Sequence, residues 1–118
     1  MFYKVKEIMS KENLGEFEEL VLLMAAVLKE EAYGLAICEE FKKQTGRAAT
    51  IGAIHATLNR LESKGFVKSS LGGATKERGG RRKRLFTITA LGKKVLVQSR
   101  DVKVNLWTQI PDLSIQNI

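Results

Sequence analysis

The 118-residue chain predicts a mainly α fold with one small β-hairpin. Three observations carry that expectation. Apolar residues recur at helical spacing through most of the chain, with turn signals between the segments. Two short runs, FVKSSL (66–71) and RLFTIT (84–89), read as strands joined by GGATKERGGRRK, a loop rich in Gly and Arg and poor in apolar groups. Directly before this basic hairpin stands TIGAIHATLNRLESKG (50–65), bracketed as one helix by Thr50 as N-cap and Gly65 as stop. A helix running into a basic hairpin is the layout of a winged helix-turn-helix, here with a further helix at each end.

Taken in order, MFYKVKEIMSK (1–11) places Phe2, Val5, Ile8 and Met9 on one helical face, in a segment too short to be stable unless docked. Asn13 and Glu16 have capping-box spacing, so a second helix is expected over about 14–29. Its Phe17, Leu20, Val21, Leu23, Met24, Val27 and Leu28 are apolar on most faces, which suits the centre of a small bundle. Residues 30–34 form a turn. LAICEEFKKQT (35–45) resumes helical spacing through Ile37, Cys38 and Phe41 until Gly46 closes it. Cys38 falls on the inward stripe and reads as a small buried hydrophobe. Thr89 caps a last helix over about 90–109, ended by Pro111, with Leu91, Val95, Val102, Leu106 and Ile110 in a stripe and Leu96 and Trp107 at its edge. One small domain leaves such a helix little core to cover, so the stripe is expected to pair with a second subunit. Residues 1–88 then form the winged helix-turn-helix part with its N-terminal helix, and 89–118 the C-terminal dimerisation helix with a short tail.

Charge narrows the function. The net charge is +7 with a pI near 9.7, but its placement says more than its size. From Lys68 to Lys94 there are nine basic residues against the single acid Glu77, whereas the rest of the chain has eleven against twelve. The positive excess therefore lies on or beside the hairpin, as expected of a footprint for nucleic acid. The longest mainly apolar run, LVLLMAAVL (20–28), is about half a bilayer span, and one cysteine makes no intrachain disulfide, so the expected compartment is cytoplasmic, without a membrane partner. One His and one Cys cannot build a His/Cys metal site, no nucleophile motif occurs, and the glycine-rich loop lacks the phosphate-cradling order. No enzyme, metal or cofactor is expected.

The 50–64 helix carries the sharpest reading. Ile51, Ile54, Leu58 and Leu61 form its apolar stripe, while Gly52, Ala53, Ala56, Asn59, Arg60 and Ser63 lie opposite. A merely solvated face is usually Lys- and Glu-rich. Small residues instead let a backbone approach another surface, so this is the candidate recognition helix. Asn59 and Arg60 could donate in a major groove, Arg typically to guanine and Asn to adenine, while Ala53 and Ala56 could touch thymine methyls. A salt bridge on a solvated face is the alternative for Arg60. His55, on the flank, either reaches a phosphate or covers the core edge. Lys76, Arg78, Arg81, Arg82, Lys83 and Arg84 would supply phosphate or minor-groove contacts.

With the segments placed, the sequence resembles the PadR family of bacterial winged-helix transcriptional regulators, in its short form with one C-terminal helix. The resemblance spans about residues 14–97. It rests on Y-G-x-x-I at Tyr33, Gly34 and Ile37, T-L-x-R-L-E-x-x-G-F-V from Thr57 to Val67, GGRRK from Gly79 to Lys83, and T-x-x-G at Thr89 and Gly92. It implies a homodimer joined through the terminal helices, a helix near 50–64 in the major groove, a wing on the minor groove or backbone, and repression of nearby genes. In some members a small aromatic compound releases the DNA, and Trp107 either packs in the core or the dimer or stacks on such an inducer. The chain departs from the family at His55, where Tyr is common, at Ile51, where Pro is common, and at Trp107, whose counterpart in drug-sensing members falls about one turn earlier, near Lys103. A near-palindromic double-stranded operator would match a two-fold dimer. The alternative is a winged-helix module that binds RNA or protein without operator specificity.

Overall fold

The computed structural model describes residues 14–74 and 82–111. The expected helix over 1–11, Asn13, Lys76, Arg78, Arg81 and the tail 112–118 lie outside that range. Helix α1 (Glu16–Leu28) leads to a 3-10 turn (Lys29–Glu31), α2 (Gly34–Thr45) and α3 (Ile51–Ser63). Strands β1 (Val67–Ala74) and β2 (Arg82–Ile88) form an antiparallel hairpin, and α4 (Ala90–Thr108) ends the described chain. Winged helix-turn-helix is therefore the architecture observed.

Helix α1 starts at Glu16, two residues later than expected. Gly15 is its N-cap, and Glu18 reaches back so that its Oε1 accepts the Gly15 amide at 2.9 Å, which replaces the expected Asn13–Glu16 pairing. Glu16, Glu18 and Glu19 in the first turn also oppose the positive end of the helix dipole. Val21, Leu22, Met24 and Ala25 are buried at the centre of the bundle. Leu23 and Val27, expected in the core, are 39% and 57% exposed; Leu23 instead borders a cleft beneath α4. The chain leaves α1 sharply at Lys29, whose φ of 52° is unusual for a residue with a side chain.

Helix α2 inserts Ile37 and Phe41, and Phe41 meets Phe17 edge to face with centroids 5.2 Å apart. Gly46 takes φ 73° and stops the helix as expected. Cys38 is half-buried, and its thiol donates to the Ala49 carbonyl at 3.0 Å, pinning the connection into α3. In α3 the Thr50 hydroxyl accepts the Ala53 amide at 3.0 Å, which is the expected cap. Ile54, Leu58 and Leu61 are fully buried, but Ile51 is 44% exposed. As the first residue of its helix, Ile51 stands before the part of the stripe that the bundle covers, and Thr57 is the fourth buried position instead.

The hairpin runs in register from Val67 opposite Ile88 to Leu71 opposite Arg84, with an irregularity before Ala74 pairs with Arg82. The strands thus extend into the segment expected to be loop, because the paired backbones continue past the apolar run. Ala32 and Tyr33 lie along the other side of β2. The Phe86 amide donates to the Ala32 carbonyl at 2.9 Å and Tyr33 bridges Leu85, fastening the wing to the turn before α2.

The T-x-x-G string closes the domain. Thr89 Oγ1 accepts the Gly92 amide at 3.0 Å and donates to the Gly65 carbonyl at 2.6 Å, while the Thr89 amide donates to the Phe66 carbonyl at 3.0 Å. A Cβ on Gly92 would sit 2.2 Å from that Phe66 oxygen and 2.8 Å from Ile88 Cγ1. Both a cap and a side chain of zero volume are needed where the first turn of α4 crosses the start of β1. Gly92→Ala is accordingly expected to destabilise by about 1–3 kcal/mol through overpacking, read as a lower urea midpoint at unchanged m-value.

Candidate nucleic-acid interface

Burial on α3 divides its faces cleanly. Ile54, Thr57, Leu58 and Leu61 are buried, and Gly52, Ala53, Ala56, Asn59, Arg60 and Ser63 are all exposed. Gly52 is the informative member. Among the described residues a Cβ there would meet nothing nearer than Thr50 Oγ1 at 4.0 Å, so none of them requires a glycine that costs helix stability. His55 behaves differently. Its ring packs over the start of α2, where a Cβ on Gly34 would lie 2.5 Å from Nε2, so the structure favours the core-edge position and accounts for the glycine of the Y-G-x-x-I string.

Two carboxylates organise the polar half of this surface. Glu18 of α1 accepts from Arg60 Nε at 3.3 Å and from Lys64 Nζ at 3.1 Å, and Arg60 Nη2 also donates to Thr57 Oγ1 at 3.1 Å. Arg60 is thus drawn back along α3 into the salt bridge that was the alternative reading. Burial pushes the Glu18 carboxyl up, but the Gly15 amide, Lys64 and Arg60 together outweigh it and hold the group below its usual range. The second carboxylate, Glu62, accepts from the Ser69 hydroxyl at 2.6 Å and from the Ser69 amide at 3.2 Å, while its other oxygen takes Arg84 Nη2 at 2.7 Å. The Ser69 hydroxyl is the first cause holding this carboxyl below its ordinary value, with Arg84 adding to it against a desolvation cost.

Arg84 also donates through Nη1 to Asn59 Oδ1 at 3.2 Å. One guanidinium therefore ties the base of the wing to the exposed edge of α3, and the two form a continuous surface. Lys83 sits 4.3 Å from the Tyr33 ring centroid in a cation–π contact. Of the basic run, Lys83 and Arg84 thus have partners inside the subunit, and Arg82 contributes its backbone to β2. Sequence reasoning assigned no role to Glu18, Glu62 or Ser69. Glu62 stands within the R-L-E string, but its partner lies across a turn in β1, which spacing along one helix does not reveal.

Helix α4 supplies a second surface. Val95 is buried, Leu91 is 39% exposed, and Val102, Leu106, Trp107 and Ile110 are exposed, as is every residue from Arg100 to Pro111. Glu19 on α1 accepts the Ser99 hydroxyl at 3.0 Å and pairs with Lys103, holding the middle of α4 against α1. Between these helices lies an open cleft of about 350 Å³ bordered by Leu23, Leu96, Val97, Val104 and Trp107. Val97 and Val104 were not in the expected stripe. Among the described residues there is no cluster that could hold a metal ion and no helix long and apolar enough to cross a membrane.

The exposed small-faced helix beside a basic wing defines this molecule as a winged helix-turn-helix protein of the regulator class. A family model described as the transcriptional regulator PadR-like family matches residues 22–98, and the chain belongs to that family, whose members are transcriptional regulators rather than enzymes. Among solved structures, the chain is similar to RosR of H. salinarum in a complex structure, with 26% identity over 85% of this chain and 79% of that one and a TM-score of 0.63. It shares its fold with a PadR-like transcription factor from B. fragilis, 20% identical over 85% and 91% of the two chains, TM-score 0.65. A PadR family regulator from Clostridium difficile is 23% identical over 75% and 86%, TM-score 0.52. No protein of curated function matches the sequence significantly.

The Glu18 cluster makes an acid-range prediction. Its folded pKa lies below the ordinary 4.5, so around that pH the unfolded chain binds more protons than the folded one. The stabilisation is complete above 4.5 and is lost as pH falls through the folded value. Glu18→Gln should cost about 1–2 kcal/mol at neutral pH, where Arg60 and Lys64 lose their counter-charge, and should flatten the fall of the urea midpoint below pH 4.5.

Proposed function

We propose that this regulator is a cytoplasmic homodimeric repressor that binds a near-palindromic double-stranded operator, with α3 in the major groove and the wing on the backbone or minor groove. The observation that carries the reading is the free outward face of α3. Its Gly52, Ala53 and Ala56 are exposed among the described residues, and the basic hairpin is anchored along its edge by Arg84. Thr50, Gly52, Ala53 and Ala56 let the helix backbone approach the duplex. Lys76, Arg78, Arg81 and Arg82 provide the phosphate or minor-groove contacts that give affinity and salt dependence. Dimerisation through the apolar stripe of α4 would cover Val102, Leu106 and Ile110 and set two recognition helices roughly 34–36 Å apart. The cleft beside Trp107 is of a size to take a small aromatic inducer, and a change in Trp fluorescence across a panel of planar compounds would report it.

Two measurements test this reading. Gel shifts with the chain's own upstream region should retain a band at low salt, and an RNA or protein competitor should fail to displace it; displacement by RNA would favour the interaction-module alternative. Replacing Arg81 and Arg82 by Ala should weaken all sequences about equally and reduce the slope of log affinity against log salt by about two. Gly52→Ala separates stability from binding. With open space at that Cβ, the free protein should gain about 0.5–1 kcal/mol, while operator affinity should fall several-fold because the added methyl faces the groove.

A further inference from the structure

We infer that Ile51 is a sequence-reading residue of this regulator, packing its side chain on the 5-methyl group of a thymine in each half-site. The inference deepens the proposal that α3 enters a major groove, and rests on it.

Helical spacing puts Ile51 in one stripe with Ile54, Leu58 and Leu61, yet those three reach no solvent while Ile51 is 44% exposed. A stiff β-branched side chain left partly in water at the first position of a helix gives the subunit little burial in return. The surface around it is made of carbon. Gly52, Ala53 and Ala56 are exposed and end at Cα or Cβ. Thr50, just before the helix, has its hydroxyl turned onto the Ala53 amide at 3.0 Å, and the His55 ring packs over the start of α2. Beyond these, the first outward polar side chain of α3 is Asn59, about 12 Å further along the axis.

The N-terminal residues of a recognition helix are those that meet base edges. What an apolar side chain can read there is narrow. Base edges in the major groove present hydrogen-bond donors and acceptors, and the thymine methyl is the one apolar group among them. Carbon laid over guanine O6 or the cytosine amino group takes water from it and returns no hydrogen bond, whereas carbon laid over the methyl removes two apolar surfaces from water. Ile51 is the residue with the reach, since its γ and δ carbons extend past the neighbouring glycine and alanines. The wing, fastened to Asn59 of the same helix by Arg84, sets the basic hairpin alongside α3 and so selects a polyanion as the occupant of this surface. A methyl at the same ring position of cytosine would be read in the same way.

The test begins with selection of bound duplexes from a random pool by the wild-type chain, Ile51→Val and Ile51→Ala, each compared with wild type by circular dichroism and urea midpoint. The wild type should enrich thymine at one position per half-site, and Ile51→Ala should lose the preference at that position alone. Affinities are then measured with that thymine replaced by uracil, which lacks only the methyl, and with cytosine or 5-methylcytosine in its place. For the wild type, uracil should cost about three- to tenfold per half-site, and 5-methylcytosine should bind more tightly than cytosine. Ile51→Val should keep part of the discrimination, and Ile51→Ala should bind thymine and uracil equally. Equal wild-type affinity for thymine and uracil at every position overturns the inference, and that comparison needs no variant. So does a uracil loss that persists in Ile51→Ala, which would assign the methyl to Ala53 or Ala56. A large fall in the urea midpoint of both variants would return Ile51 to the core and overturns it as well. A pool from which the wild type enriches no sequence overturns the DNA reading itself, an outcome distinct from enrichment that ignores the methyl.

Discussion

Ile54, Leu58 and Leu61 reach no solvent, and their burial among α1, α2 and the first residues of the hairpin sets how α3 can sit. A helix whose stripe is fully covered on one side has no freedom to roll. Its opposite face must therefore stay outside, and that face carries Gly52, Ala53, Ala56 and Asn59. Everything proposed for the molecule follows from this orientation, since the wing, the carboxylates and the terminal helix all take their places relative to α3.

Polar contacts then refine what packing has placed. Glu18 and Glu62 lie at the two borders of the exposed face, and each gathers cations that would otherwise extend freely. The result is a surface less charged at its centre than the sequence suggests, with Arg60, Lys83 and Arg84 engaged inside the subunit.

The junction after the hairpin shows how a short string can encode a tertiary joint. Thr89 caps α4, receives the chain end of α3 through the Gly65 carbonyl, and lies beside a Gly92 whose missing side chain admits the Phe66 carbonyl. The direction of α4 as it leaves the domain is thereby set. Its outer half projects with Val102, Leu106, Trp107 and Ile110 uncovered, an apolar surface suited to a second chain.

By itself the sequence determined the order of the described elements and where three helices lie: helical period and stop signals marked α2, α3 and α4, the Thr50 and Thr89 caps stand where expected, and the basic excess pointed to the hairpin. These features are local, decided by residues within one or two turns of each other. What only the tertiary structure decided depends on partners far apart in the chain. Ile51 stands outside its own stripe, Leu23 borders a cleft instead of the core, His55 covers Gly34, and Arg60 and Arg84 turn toward Glu18 and Glu62. Periodicity places a side chain on a face, but whether it meets another segment or water depends on which elements the fold brings alongside.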